Sequence, residues 1–108
     1  MSEITHYTYR VAWSAEDREF VAQVAEFPSL SWLAPTQAEA LSGIVALVAD
    51  VVDDLLNSGE HVPEAFADRH YSGEFKVRIP PELHRRLAIR AAEEHVSLNR
   101  LVSARLAS

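Results

Sequence analysis

Alternation of apolar and polar positions dominates the first third of the chain. From Ile4 to Trp13, Tyr7, Tyr9, Val11 and Trp13 share one face while His6, Thr8 and Arg10 share the other, the period of a half-buried strand. Ser14 to Glu19 forms a charged turn, and Phe20, Ala22 and Val24 then alternate again, so a hairpin is expected. Phe27-Pro28-Ser29 interrupts the pattern before a short third strand over 30–33. At Thr36 the period changes to helical. Thr36-Gln37-Ala38-Glu39 is a capping box, and Leu41, Ile44, Val45, Val48, Val51, Val52 and Leu55 follow the spacing of one helix face, with Gly59 as the stop. The order β-β-β-α predicts a small antiparallel sheet with one helix across it. Trp13 is expected in its core, and Trp32 is open between core and surface. Residues 60–69, with Pro63, read as a loop or short irregular strand, and a domain boundary is expected near His70.

Past the boundary the pattern restarts. Phe75, Val77 and Ile79 alternate with Glu74, Lys76 and Arg78, a strand with one apolar and one polar face, ended by Pro80. Pro81 suits a first helical turn, and Glu82 there complements the helix dipole. Leu83, Leu87 and Ala91 mark a helix ending around Glu94. Ser97 caps a second helix with Leu98, Leu101, Val102 and Leu106 as its stripe. A unit of this size without metal or disulfide seldom buries enough apolar area to stand alone. The economical solution is a two-fold dimer. Two copies of the 75–79 strand pair antiparallel, and Phe75, Val77, Ile79, Leu83, Leu87, Leu98, Leu101 and Val102 form the shared core. The polar face then projects Glu74, Lys76 and Arg78 twice, on a ribbon whose width fits the major groove of duplex DNA. Free N–H groups at Ser97, Leu98 and Asn99 suit a flanking phosphate.

Charge sharpens the division. The net charge is -6 over 108 residues. Through His70, three arginines face twelve carboxylates, or -9; from Tyr71 onward, seven basic residues face four acidic ones, or +3. An acidic half joined to a basic half implies two different partners. The chain has no cysteine, which excludes a disulfide scaffold, a thiol nucleophile and Cys-ligated zinc. There is no apolar run of membrane-spanning length, and the start lacks the basic and apolar regions of a secretory signal, so a soluble cytoplasmic protein is expected.

Other chemistry is sparse. Asp50, Asp53 and Asp54 share a helix face at spacings that suit either a divalent cation or a solvated or docking acidic surface. The five histidines show no paired metal spacing. No G-x-S-x-G elbow and no glycine-rich phosphate loop occurs among three glycines. No catalytic site and no cofactor is expected, and the reading is a non-enzymatic one.

The stretch from Phe75 through Lys76-Val77-Arg78-Ile79-Pro80-Pro81-Glu82-Leu83 to His84, followed by Val96-Ser97-Leu98-Asn99, resembles the ribbon-helix-helix DNA-binding family of Arc and MetJ repressors. The resemblance implies that Glu74, Lys76 and Arg78 read bases and that Ser97 to Asn99 hold phosphate. His95 stands where many members have glycine, which implies a left-handed histidine. Phe20-Val21-Ala22, Phe27-Pro28, Thr36 with Glu39-Ala40-Leu41, and the Tyr71-Ser72-Gly73 junction together resemble HicB-type antitoxins. That implies an α+β chain: a partial RNase H-like toxin-binding domain (1–70) without nuclease activity, then a ribbon-helix-helix domain (71–108). The partners implied are a small basic HicA-like mRNA interferase, operator DNA and a second copy of the chain as a homodimer or tetramer. Two alternatives stand beside this: a stand-alone ribbon-helix-helix regulator with a sensing or oligomerising first domain, and a metal-dependent nuclease-like enzyme using Asp50, Asp53 and Asp54.

Overall fold

In the computed structural model, which describes residues 3–108, the hairpin forms in the register that alternation demands. β1 (Tyr9–Ser14) pairs antiparallel with β2 (Glu19–Val24), and β2 pairs antiparallel with β3 (Ser31–Ala34), giving the order β1-β2-β3. The register aligns Trp13, Phe20 and Ala34 on one rung and Val11, Ala22 and Trp32 on the next. Directly opposed residues share a face, so these rungs point to the same side of the sheet. α1 (Gln37–Asn57) lies across that side. It buries Ala40, Ile44, Val48 and Val52, a stripe at intervals of four, against Ala22, Val24 and Ala34. Ile44, Val48 and Val24 are the largest fully buried side chains, each contributing about 1.5–3 kcal/mol by removal from water.

Both ends of α1 are fixed by local chemistry. The Thr36 hydroxyl accepts from the Glu39 N–H at 3.2 Å, one half of the capping box. At the other end the Glu60 N–H reaches the Leu55 carbonyl (2.9 Å) and the Gly59 N–H the Leu56 carbonyl (3.2 Å). This is a Schellman closure, and it places Gly59 at φ 70°, a conformation glycine adopts without strain.

The chain after α1 returns to the sheet as a loop with one 3-10 turn (Phe66–Asp68). Ala65 joins the core, the Tyr7 hydroxyl donates to the Pro63 carbonyl at 2.6 Å, and the Tyr7 ring meets Phe27 edge-on. Glu26, only 8% exposed, gathers three donors: the Thr8 N–H (2.9 Å), the Thr8 hydroxyl (3.1 Å) and the Phe66 N–H (3.0 Å). Burial disfavours its charge, but these hydrogen bonds outweigh that and hold its pKa below the ordinary carboxylate value. His6 pairs with Asp68 at 2.9 Å, tying the first segment to the returning loop; hydrogen bonding to that carboxylate and its charge raise the imidazole pKa.

Two expectations from the sequence need correction. Ile4–His6 is a 3-10 turn, not the start of a strand, because the Glu3 carboxylate accepts from the Thr5 N–H and hydroxyl and curls the backbone. Trp13 is not core: it points to the helix side but stands at the end of an edge strand, 56% exposed, with its ring edge-on to Phe20. The 75–79 segment, expected to pair only with a second copy, belongs to no sheet in the single chain, as a strand requires a hydrogen-bonded neighbour. The described residues are thus α+β, with a three-stranded antiparallel sheet and three α-helices, and the chain divides into two units, Met1–Tyr71 and Ser72–Ser108. No described helix is long and apolar enough to cross a membrane.

Candidate nucleic-acid interface

The second unit begins with Gly73 at φ 87° and the Ser72 hydroxyl accepting from the Glu74 N–H at 3.1 Å. Residues 74–80 are then all exposed. Glu74, Lys76 and Arg78 are exposed and form none of the described ion pairs. Of their apolar neighbours, Phe75 is 75% exposed and Val77 63%, while Ile79 is 37% exposed. The apolar face of this alternating segment has the composition of a core, yet Phe75 and Val77 leave most of their surface in water.

Pro80 caps α2 (Pro81–Glu93), with Pro81 in the first turn where its missing N–H costs no helix bond. Glu82 accepts twice from the Arg85 guanidinium (2.9 and 3.2 Å), and Arg90 pairs with Glu94 (2.6 Å), so two of the helix arginines are occupied along the helix itself. α2 closes with the Val96 N–H on the Ala91 carbonyl (3.0 Å) and the His95 N–H on the Ala92 carbonyl (3.2 Å). That is the same closure that ends α1, and it drives His95 to φ 57°.

α3 (Leu98–Ala107) starts at Ser97, whose hydroxyl accepts from the Arg100 N–H at 3.0 Å. The cap leaves the Leu98 and Asn99 N–H groups at the positive end of the helix with no partner along it, available to an anion. α2 and α3 pack against each other, yet only Ala91 and Leu101 are fully buried. Leu83, Leu87, Leu98 and Val102 are half-buried, and Ile89 and Leu106 are exposed. A groove of 350 Å³ between the two helices is lined by Leu83, Leu87 and Ile89 with Arg86, Arg90, Glu93 and Arg105. Of the eight residues expected in a shared core, the single chain therefore buries only Leu101 completely.

The acidic helix face is laid out differently from a metal centre. Asp50, Asp53 and Asp54 are exposed on α1, and no three carboxylate or imidazole groups converge on a cation site among the described residues. Sequence reasoning did not find Glu26. Its signal is only a carboxylate directly after a strand, and its burial depends on Phe66, forty residues on.

The second unit thus offers a strand-length segment with an unpartnered apolar face, followed by two short capped helices, within an α+β chain. In comparison with known families, the HicB family model matches residues 58–106, a little under half the chain. The matched stretch takes in nearly all of the second unit and the end of the first. No curated protein and no solved structure matches.

Proposed function

We propose that this chain is a HicB-type antitoxin that acts at two ends. Its first unit, read as a partial RNase H-like domain, binds and masks a small basic HicA-like mRNA interferase. Its second unit pairs with a second copy as a ribbon-helix-helix dimer and binds operator DNA, repressing its own operon. Lys76 and Arg78 donate to guanine edges in the major groove, Glu74 accepts from a cytosine amino group, and the Ser97–Asn99 end of α3 holds a flanking phosphate. No bond is made or broken; both effects are steric occlusion.

The observation that supports this best is the exposed 74–79 segment, whose apolar face lacks a partner in the single chain and whose other face presents Lys76 and Arg78. The match to the HicB family over the same residues points the same way. The direct test is binding to duplex DNA from immediately upstream of the gene, at two salt concentrations and against scrambled duplex. Sequence-dependent binding that weakens with salt is expected, and Lys76→Ala with Arg78→Ala should abolish it. Equal binding to both duplexes, or an unaffected double variant, would refute DNA reading by this segment.

A further inference from the structure

We propose that the exposed ring of Trp13, with the carboxylates around it, is the surface on which a basic partner protein docks; this rests on the reading of the first unit as a masking domain. The argument begins with the misfit of Trp13. A tryptophan on the helix side of a sheet ordinarily supplies core, yet Trp13 leaves most of its surface in water. It is not loose: its ring is braced edge-on against Phe20 at 5.1 Å, and Phe20 packs on the buried cluster. A large, oriented, half-anchored aromatic is the side chain most often found at the centre of protein interfaces.

Its surroundings select the partner's charge. Trp13 lies on the same rung as Ala34, and α1 begins three residues beyond Ala34, so the first turns of the helix rise at this end of the sheet. In the hairpin that follows Trp13 directly in the chain, Glu16, Asp17 and Glu19 stand against Arg18 alone. Asp17 is committed to the hairpin through the Ser14 hydroxyl (2.9 Å), whereas Glu16 and Glu19 form none of the described ion pairs. The unit as a whole carries -9. An apolar anchor inside a carboxylate rim fits a basic protein that offers an apolar socket edged by lysine or arginine. The rim accelerates encounter and the ring holds the complex.

The test uses the full-length protein and the purified product of the reading frame adjacent to its gene. Trp13→Ala should weaken binding at least tenfold, mainly through faster dissociation, and Trp13→Phe should recover part of it. Glu16→Lys should slow association and flatten its salt dependence. Each variant's thermal unfolding confirms that the fold is kept, and Glu16→Lys, on an exposed loop, serves even if Trp13→Ala destabilises the sheet. Wild-type binding with both variants unaffected would overturn the docking surface while leaving the masking role standing. Loss of a larger homo-oligomer in Trp13→Ala, with partner binding intact, would make this a self-association face and likewise overturn the proposal. Failure of the wild-type protein to bind would remove the masking role and the surface together.

Discussion

Two side chains set opposite limits on the pH range of the first unit. The folded-state pKa of Glu26 lies below its ordinary value of 4.5, so its stabilisation is present above that pH and is lost as pH falls through the lowered value. His6 is raised above 6.5, so the pair with Asp68 contributes below that pH and is lost as pH rises through the raised value. Stability should therefore plateau between roughly 4.5 and 6.5, with a steep acid limb and a shallow alkaline one, since the His6 pair is exposed and screened by salt. Both tryptophans lie in this unit, so fluorescence-detected urea melts across pH report on it alone. Glu26→Gln should cost about 1–3 kcal/mol at neutral pH and flatten the acid limb, because a buried set of three donors loses its charged acceptor. An unchanged acid limb would show that other carboxylates govern it. His95 is the complementary case, a strained residue rather than a satisfied one. His95→Gly should stabilise the second unit by about 1 kcal/mol, read from its helical signal, by relieving the left-handed backbone at φ 57°.

At the scale of elements, the contact between α1 and β3 turns on Gly43. A methyl group there would occupy the position of the Trp32 indole, so the helix approaches the sheet this closely only because residue 43 has no side chain. Gly43→Ala gains helix propensity of about 1 kcal/mol but displaces the ring, and the packing loss should dominate, for a net destabilisation of about 1–2 kcal/mol. In a Trp32→Ala background the same change should become stabilising; a double-mutant cycle without that change of sign would rule out the indole as the cause. Sequence pattern made such elements legible where the deciding interactions are local. Thr36 with Glu39, Gly59, Pro81 and Ser97 each settle a helix end within four residues, and the helix stripe follows from spacing alone. The pattern fails where the decision is made at a distance or at an edge. Trp13 alternates like a core residue, but alternation assigns a face and says nothing of how far the helix extends over it. Ile4 alternates too, yet Glu3 capping the next turn outweighs strand propensity. The close approach of Trp32 to Gly43 pairs positions eleven apart with no signature in either. Of the candidate interface, the caps and the alternation of 74–79 were visible, whereas the degree to which its apolar side lies bare required coordinates.

For the whole molecule, the two units differ in what completes them. The first encloses its own core from Tyr7 to Ala65, while the second buries little beyond Ala91 and Leu101. Unfolding should therefore be two separable transitions. The fluorescence transition of the first unit should be independent of protein concentration. The loss of helical signal from the second should shift upward as concentration rises, as mass action requires of an associating unit. Coincident, concentration-independent transitions would mean that the second unit is stable unpaired.

The bare apolar face of the 75–79 segment also carries a genetic consequence. If each reader of DNA is assembled from one segment of each of two chains, chains exchange freely between mutant and wild-type pairs. A variant with Lys76 and Arg78 removed but Phe75, Val77 and Ile79 intact would still enter pairs, leaving each mixed pair with half a reading face. Expressed beside the wild type, it should act dominantly, derepressing the operon although the normal gene is present. A variant with a polar residue at Val77 would be excluded from pairing and should remain recessive.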